Sequence, residues 1–292
     1  MKIICSSRSF NFIKQIIKNE HISSFILSVK EFCLFTDYVY SLEEIEEVVK
    51  YLKKKNKKVI IDIAKLIHED ETQKLKEIIV KLNLLNVDYF MYSDFGVYYI
   101  LKELDLVNKT MLYSNTYLTN TFDTKIYQEK NKVVVISNQI NATELINISN
   151  NVYDNQIISA FGRALIMYTR RPLLTNYFSY RKTNLNSNKN NYSLQEEFRD
   201  DLYPIYENEN STKIYDYGYY YLLEELSNIN ENVDIIVSGE LLSNIDYKNV
   251  LNFYTNYLNG NREQKIEELN IKLNKGAYSR KLTLLKGGAN NE

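Results

Sequence analysis

Residues 41–63 read SLEEIEEVVKYLKKKNKKVIIDI and contain the unit from which the fold is built. Ser41 suits a helix N-cap, and Glu44, three residues later, completes a capping box. One face of the predicted helix then carries the apolar side chains Ile45, Val48, Val49 and Leu52. Val59–Ile63 follows as a short, continuous apolar run typical of a buried strand. The stretch therefore predicts a capped amphipathic helix joined to a buried strand by a lysine-rich turn.

The same alternation extends to both sides of this unit. The predicted strands are Lys2–Cys5, Phe25–Val29, Val59–Ile63, Val87–Tyr92, Thr110–Tyr113, Val133–Ile136, Ile157–Phe161 and Val233–Val237. The predicted helices include Phe10–Lys18, 70–84, Val97–Leu104, Thr119–Tyr127, one opened by Asn141, Tyr215–Leu226 and Tyr247–Leu258. Strands this uniformly apolar are typical of parallel strands covered on both faces. Eight strands that each lead into a helix predict a (β/α)8 barrel, with a doubly wound open sheet as the alternative, because periodicity cannot show closure.

Two segments depart from this repeat. A long insertion from about Arg181 to Thr212 separates the seventh strand from its helix, and connections of that length are usually functional or disordered. Residues 261–292 form a basic tail, in which Asn270–Ala289 carries five cations and no acid. We therefore expect one barrel domain over residues 1–260, followed by the tail.

The bulk composition narrows the class of protein. The chain has 292 residues, 45% of them hydrophobic and 25% charged, as in an ordinary globular protein. Its net charge of −1 means that affinity for polyanions has to come from local patches. Cys5 and Cys33 both lie in apolar runs and are expected to be free thiols, which suits a reducing compartment. With neither a signal peptide nor a membrane-length apolar run, the sequence predicts a cytoplasmic protein without a membrane partner.

The segment Asn155–Gln195 contains no Asp or Glu. It does contain four of the eight arginines of the chain, and aromatic residues lie between them. We expect an RNA- or anion-binding surface at the barrel mouth formed by Arg163, Tyr168, Arg170, Arg171, Tyr177 and Arg181. Arginine binds phosphate in a bidentate manner, and aromatic rings stack on bases. The alternative is that these arginines pair with Glu196, Glu197, Asp200 and Asp201.

Residues that directly follow the strands are the candidates for chemistry, because a barrel collects its active site at that face. The catalytic candidates are Asp94, Ser114, Asn115 and Glu240. Asp94 also suits a helix N-cap, which is the structural alternative. The sequence lacks a HExxH zinc motif and a glycine-rich phosphate loop. Two separated cysteines and two histidines predict no bound iron or zinc.

Several stretches together resemble one known family. They are IHEDE (67–71), VDYFMYSDFGV (87–97), YSNTYLTN (113–120), GRALIMYTRRPLLTNYFSYR (162–181) and DLYPIYENENSTKIYDY (201–217). In this order and spacing they resemble the collagenase-like peptidase family U32, over about residues 41–260. The family name implies a protease, but members are also implicated in hydroxylating RNA bases and ubiquinone.

The resemblance carries implications for cofactor and partners. The hydroxylases of the family hold an iron–sulfur cluster on four cysteines, and the first two of those positions are occupied here by Leu165 and Pro172. A cluster bound through cysteine is therefore not expected. Of the family's K-I-E-G-R motif, Gly239 remains, flanked by Ser238 and Glu240.

The likeness is to a short, cysteine-poor branch. A short member of that branch is thought to act beside a longer one in forming 5-hydroxyuridine at the tRNA wobble position, with prephenate as precursor. The implied partners are tRNA and a longer homologue. A protease, or a non-catalytic barrel that scaffolds a longer member, remains an alternative.

Overall fold

The eight predicted strands close into a parallel barrel in a computed structural model that describes residues 1–35, 37–114, 116–152, 155–183, 192–209 and 211–279. The barrel strands are β1 (Ile3–Cys5), β2 (Ile22–Val29), β4 (Lys58–Asp62), β5 (Tyr89–Tyr92), β6 (Thr110–Tyr113), β7 (Val133–Val135), β8 (Gln156–Thr169) and β12 (Asp234–Val237). Each pairs in parallel with its neighbours, and β12 joins β1 to β8, which closes the ring. The predicted (β/α)8 barrel is confirmed, and the open-sheet alternative is wrong. Short strand β3 (Val39–Tyr40) pairs with the end of β2.

Among the described residues, six helices connect successive barrel strands on the outside, one lies in the insertion after β8, and one follows β12. They are α1 (Phe10–Ile16), α2 (Leu42–Lys54), α3 (Thr72–Leu84), α4 (Phe95–Glu103), α5 (Thr121–Lys130), α6 (Ala142–Asn151), α7 (Leu173–Tyr180) and α8 (Asn244–Leu258). The capping boxes predicted at Ser41 and Asn141 are both present, with Glu44 and Glu144 reaching back to the cap backbone. In the part of the chain that is described, no helix combines the length and the apolar character needed to cross a membrane.

The core has two layers because successive residues of a strand point to opposite faces. Ile60 belongs to the cluster that fills the barrel interior, whereas Val59 and Ile61 belong to the larger cluster between strands and helices. The same interior cluster contains Ile4, Ile26, Met91, Met111, Val135 and Ile236. Both faces of the strands are therefore buried, which is why they read as continuous apolar runs in the sequence.

The segment after the seventh strand differs from its prediction. Strand β8 does not stop near Phe161 but continues to Thr169, and its outer half pairs antiparallel with β11 (Thr212–Tyr221). The predicted helix Tyr215–Leu226 is wrong: its first half is β11, and a short 3-10 helix, Glu224–Asn228, follows. The tyrosine-rich run has high strand propensity. Its pairing with β8 provides hydrogen-bond partners for the backbone N–H and C=O groups, which a helix would have paired internally.

The predicted insertion contains two further strands. They are β9 (Tyr192–Gln195) and β10 (Leu202–Glu207), which continue the antiparallel order β8–β11–β10–β9. We call Arg163–Thr169, α7 and β9–β11 the extension. Residues 184–191 of the insertion and 280–292 of the basic tail lie outside the described residues. Within the described part of the tail, the backbone around Leu273 pairs with Tyr219 of β11.

Candidate active site at the barrel mouth

Glu240 lies directly after β12, buried at the carboxyl ends of the strands. Its Oε1 accepts a hydrogen bond of 2.8 Å from the Tyr215 hydroxyl. Its carbonyl oxygen accepts one of 3.0 Å from the Tyr219 hydroxyl. Both tyrosines come from β11, so the extension and the barrel together hold this carboxylate.

The turn that carries Glu240 is strained and tightly fixed. Leu241 has a φ of 65°, in the left-handed region that disfavours a branched side chain. Its amide donates 2.8 Å to Asp37 Oδ1, which stabilises that conformation. A Cβ on Gly239 would lie 2.4 Å from the Tyr247 ring, so only glycine fits there. Strain of this kind costs about 1–3 kcal/mol and is concentrated at functional sites.

Arg8, from the end of β1, binds the same turn from the other side. Its Nη2 donates to the carbonyl oxygens of Gly239 and Leu242, the second at 2.9 Å. The same nitrogen lies 3.2 Å from Asp37 Oδ2 in a buried ion pair. The planar guanidinium therefore connects three segments that are far apart in the sequence, and all of them converge on Glu240.

Asp37 has an unusual proton affinity. Burial, reinforced by the nearby Glu240 carboxylate and opposed by Arg8, raises the pKa of Asp37 to about 7. A neighbouring negative charge disfavours ionisation of a second carboxyl group. The two acids therefore differ in role, and Asp37 is poised to exchange a proton near neutral pH.

A small cavity of about 20 Å³ borders Glu240 inside the mouth. Its polar lining includes Arg163, Asn138, Ser238 and Tyr215. A volume of this size accommodates one water molecule, and the surrounding polar groups offer the partners that a buried water needs. The site can therefore hold a small oxygen nucleophile next to a fixed carboxylate.

Two further charged residues are buried where the extension meets the barrel: one on β11 and one at the end of β4. The Lys213 ammonium, fully buried on β11, donates to the Leu34 carbonyl oxygen, and burial lowers its pKa. Asp62, at the end of β4, accepts from the amides of Leu34, Phe35 and Ala64. Burial raises the pKa of Asp62, and those hydrogen bonds oppose the rise. The pair fixes the loop after β2 against the extension.

The remaining catalytic candidates serve local structure. Asp94 caps α4, since its Oδ1 accepts from Gly96 N at 2.7 Å, while Oδ2 accepts from Ile67 N at 3.2 Å. The Ser114 hydroxyl oxygen accepts from the amides of Thr116 and Tyr117 in a turn after β6. Asn115 lies outside the described residues. Of the three candidates among the described residues, Glu240 is the one around which buried charged groups converge.

The structure separates the predicted basic surface into different environments. Arg163 lies at the mouth, with its guanidinium 4.3 Å from the centre of the Tyr219 ring and next to the small cavity. Arg170 forms a two-pronged ion pair with Glu71, with distances of 2.5 and 3.0 Å. That partner differs from the four acids expected from the sequence. Tyr168 is half-buried, and burial raises its pKa to about 12.

Glu71 is the centre of a rim cluster at the start of α3. It also binds the Lys65 ammonium at 2.8 Å and the His68 amide at 2.8 Å. Burial raises the pKa of Glu71, but these hydrogen bonds and the one from Arg170 outweigh it and lower the pKa to about 2. His68, Asp70 and Glu71 lie close enough to share a metal ion, but the oxygens of Glu71 are already engaged by cations.

Arg171 precedes α7, Tyr177 lies within it and Arg181 follows it, and all three side chains are exposed. Tyr177 is 57% exposed, and Tyr180 beside it is 85% exposed. Helix α7 is fixed to β10 by Glu207, which accepts from the amide of Leu174 at 2.7 Å. These cations and rings are thus displayed on a firmly anchored helix.

Sequence reasoning missed several residues of the site. Asp37 lies in a loop, and Lys213 lies at the start of a strand that was read as insertion and helix. Asp62 ends a strand within an apolar run, which is a detectable signal: a charged residue there has to be paired. Arg8 follows the first strand but becomes informative only when the turn it binds is known.

Comparisons with known proteins agree with this fold. Peptidase family U32 matches residues 27–284. The chain is 23% identical to tRNA hydroxylation protein P2 of Bacillus subtilis over 212 residues, or 71% of this chain and 69% of that protein. It is 26% identical to an uncharacterized protease of Methanocaldococcus jannaschii over 175 residues, or 57% of this chain and 42% of that protein.

A solved structure shares the fold of this chain. The U32 peptidase Mk0906 superposes with a TM-score of 0.52 and 15% identity, covering 82% of this chain and 94% of that one. At this identity the likeness concerns the fold alone. Because the family match spans most of the sequence, this chain belongs to peptidase family U32.

Proposed function

We propose that this chain is a component of tRNA hydroxylation, acting on the wobble uridine with prephenate as precursor and beside a longer member of its family. The observation that carries the proposal is the similarity to tRNA hydroxylation protein P2 across 71% of the chain. The proposal includes a cytoplasmic location, where tRNA is found.

The electrostatics of α7 support an RNA partner. Arg171 and Arg181 are exposed, and the exposed rings of Tyr177 and Tyr180 lie between them in the sequence. Phosphate contacts supply most of the affinity for RNA, and exposed aromatic rings stack on unpaired bases. A loop of tRNA offers both phosphates and unpaired bases.

The barrel mouth supports a role in proton transfer or substrate positioning. Glu240 is held by Tyr215, and its turn is held by Arg8 and Asp37. A carboxylate fixed in this way suits a general base. The chain has two cysteines, too few for a cluster on four thiolates, so we assign the redox part of the reaction to the longer partner.

The experiment is nucleoside analysis of tRNA from a Bacillus subtilis strain that lacks tRNA hydroxylation protein P2 and expresses this chain. We expect 5-hydroxyuridine derivatives to reappear with the wild-type chain and to fall at least tenfold with Glu240→Gln. Asp94→Asn, at a helix cap away from the Glu240 turn, is the matched control and should retain the modification. If the wild-type chain leaves the tRNA unmodified even when the longer homologue from its own source is co-expressed, the proposal is wrong.

Peptide hydrolysis is the second candidate, and one observation favours it. Burial and the nearby Glu240 raise the pKa of Asp37 to about 7, and Glu240 itself borders a cavity for one water. Two neighbouring carboxyl groups, one of which holds its proton up to about neutral pH, are elements of acid–base hydrolysis. Incubation with gelatin and with quenched fluorescent peptides tests this. Cleavage that is lost in Glu240→Gln would favour a peptidase, and stable peptides would exclude it.

A further inference from the structure

A second, larger groove lies beside the mouth. It measures about 720 Å³, between the outer parts of β8 and β11 and the segment 274–279. Its floor residues Asn138, Leu165 and Tyr220 also line the small cavity next to Glu240. A molecule in the groove is therefore separated from the candidate active site by a single layer of side chains. The volume is within the usual range for small-ligand sites.

The walls of the groove combine aromatic rings with amides. Tyr203 of β10 and Tyr217 of β11 form an edge-to-face pair with ring centres 5.8 Å apart. Asn138 and Gln139 lie at the floor, and Asn274 donates to both oxygens of Asp216 at 3.2 Å. Single-stranded RNA is recognised by aromatic rings that stack on unpaired bases and by polar groups that bind the base edges. The composition of the groove fits this mode.

Cations lie at the rim, where phosphates would pass. The Lys272 ammonium lies 4.6 Å from the centre of the Tyr217 ring and 2.8 Å from Asp201. Arg199 pairs with Glu196 at 3.0 Å. Both pairs are exposed, and exposed ion pairs contribute at most about 1 kcal/mol. A phosphate group can therefore replace the acids as a partner of these cations.

The backbone of the groove argues against a peptide ligand. Near Tyr219, β11 pairs with Arg163 of β8 on one side and with Leu273 on the other. Addition of a peptide strand requires a free sheet edge, and β11 presents none at this place among the described residues. The interactions that remain available come from side chains, as base recognition requires.

We propose that this groove binds one unpaired nucleotide of single-stranded RNA, with its base stacked on Tyr217 and directed toward the floor beside Glu240. The inference deepens the proposed function and rests on it, because it names where the RNA base approaches the candidate site. It also assigns a role to the extension: its strands supply the aromatic wall that the plain barrel lacks.

The test measures binding of a fluorescent seven-nucleotide RNA with a central uridine to the purified full chain. Stacking on one ring is worth about 1–3 kcal/mol, so Tyr217→Ala should weaken binding by about 5- to 150-fold. Tyr217→Phe keeps the ring and should bind within about twofold of wild type. Tyr99→Ala is the matched control, because Tyr99 is also exposed and lies next to a lysine, but on α4.

A second variant and a mapping experiment guard against misfolding. Ile166 lines the groove and is 55% exposed, so Ile166→Glu should leave the core packing intact, and the new charge should repel the RNA. Photocrosslinking with 4-thiouridine at the central position should label residues of the groove. Equal affinities of Tyr217→Ala and Tyr99→Ala, or crosslinks confined to α7, would overturn the inference.

The RNA-binding test of the groove can succeed or fail independently of the test of tRNA hydroxylation. RNA bound in the groove by a chain that restores no modified nucleoside would refute the proposed function and leave the groove assignment intact. If the wild-type chain restores the modification but Tyr217→Ala binds RNA as tightly as wild type, the proposed function stands and the groove assignment is wrong. A heptapeptide that displaces the RNA from the groove at comparable concentration would also count against a nucleotide site.

Discussion

The two halves of β8 show how one strand serves two purposes. Gln156–Gly162 is buried throughout and pairs in parallel with β7 and β12 as far as Phe161. Arg163–Thr169 is mostly half-buried and belongs to the antiparallel pairing with β11, which begins at Phe161. The inner half carries apolar residues of the core. The outer half begins with Arg163, which reaches the mouth, and is followed directly by Arg170, which reaches the rim. Packing of apolar side chains thus determines the structure of the barrel, whereas specific contacts of individual side chains determine that of the extension.

The largest expected effect separates the barrel core from the extension. Phe90→Ala in β5 removes a fully buried ring and should lower the free energy of unfolding by about 3–5 kcal/mol. Phe198→Ala, the same substitution at a ring that is 92% exposed in the extension, should change it by less than about 0.5 kcal/mol. Urea denaturation measures both. Similar losses would mean that the extension is as tightly packed as the barrel.

An intermediate effect separates two adjacent arginines. Arg170→Ala leaves a partly buried Glu71 with one cation fewer, and should cost about 1–3 kcal/mol of stability. Arg171→Ala is the control, since its exposed side chain should contribute almost nothing to folding. Thermal unfolding compares the two. An equal and small effect of both would show that the pair with Glu71 does not stabilise the rim.

The pKa of Asp37 is raised and that of Glu71 is lowered, so we expect their contributions to stability to depend on pH in opposite ways. The pKa of Asp37 is raised by burial and Glu240 to about 7, so the folded chain keeps a proton that the unfolded chain releases above about pH 4. Its contribution to stability is therefore lost as the pH rises from about 4 to 7. Asp37→Asn should flatten that part of the stability curve.

For Glu71 we expect the opposite dependence of stability on pH. Its pKa is lowered to about 2, because hydrogen bonds from Lys65, His68 and Arg170 outweigh burial. Its contribution is complete above its ordinary pKa of about 4.5 and is lost as the pH falls toward 2. Glu71→Gln should flatten the acid limb only. Urea midpoints between pH 2 and 8 distinguish the groups, and a single variant that flattened both limbs would contradict the separation of the two clusters.

The smallest effect on folding is expected at α7. Arg171→Ala and Arg181→Ala should each lower the slope of log affinity for tRNA against log salt by about one unit, with unfolding free energies within about 0.5 kcal/mol of wild type. Lys54→Ala and Lys55→Ala, exposed cations at the end of α2, form the matched control. A control that altered the slope as much would point to a diffuse charge effect instead of an α7 surface.

Most of the barrel could be predicted from the sequence because its signals are local. The capping box at Ser41, the continuous apolar strand Val59–Ile63 and the alternation of such units depend on neighbouring residues, and the structure reproduces them with small shifts at the ends. The helix predicted at Tyr215–Leu226 was wrong because a run of tyrosines is compatible with either period. Pairing with β8 determines that this run forms a strand and not a helix.

The sequence by itself determined the strand–helix repeat, the presence of Glu240 after the last barrel strand and the accumulation of arginine after the seventh. Only the tertiary structure decided that the barrel closes, that Arg170 pairs with Glu71, and that Arg8 and Asp37 fix the turn of Glu240. The physical reason is the range of the interactions. Propensity, capping and apolar periodicity act within a few residues, whereas buried charges choose partners across the whole chain, according to which groups folding removes from water together.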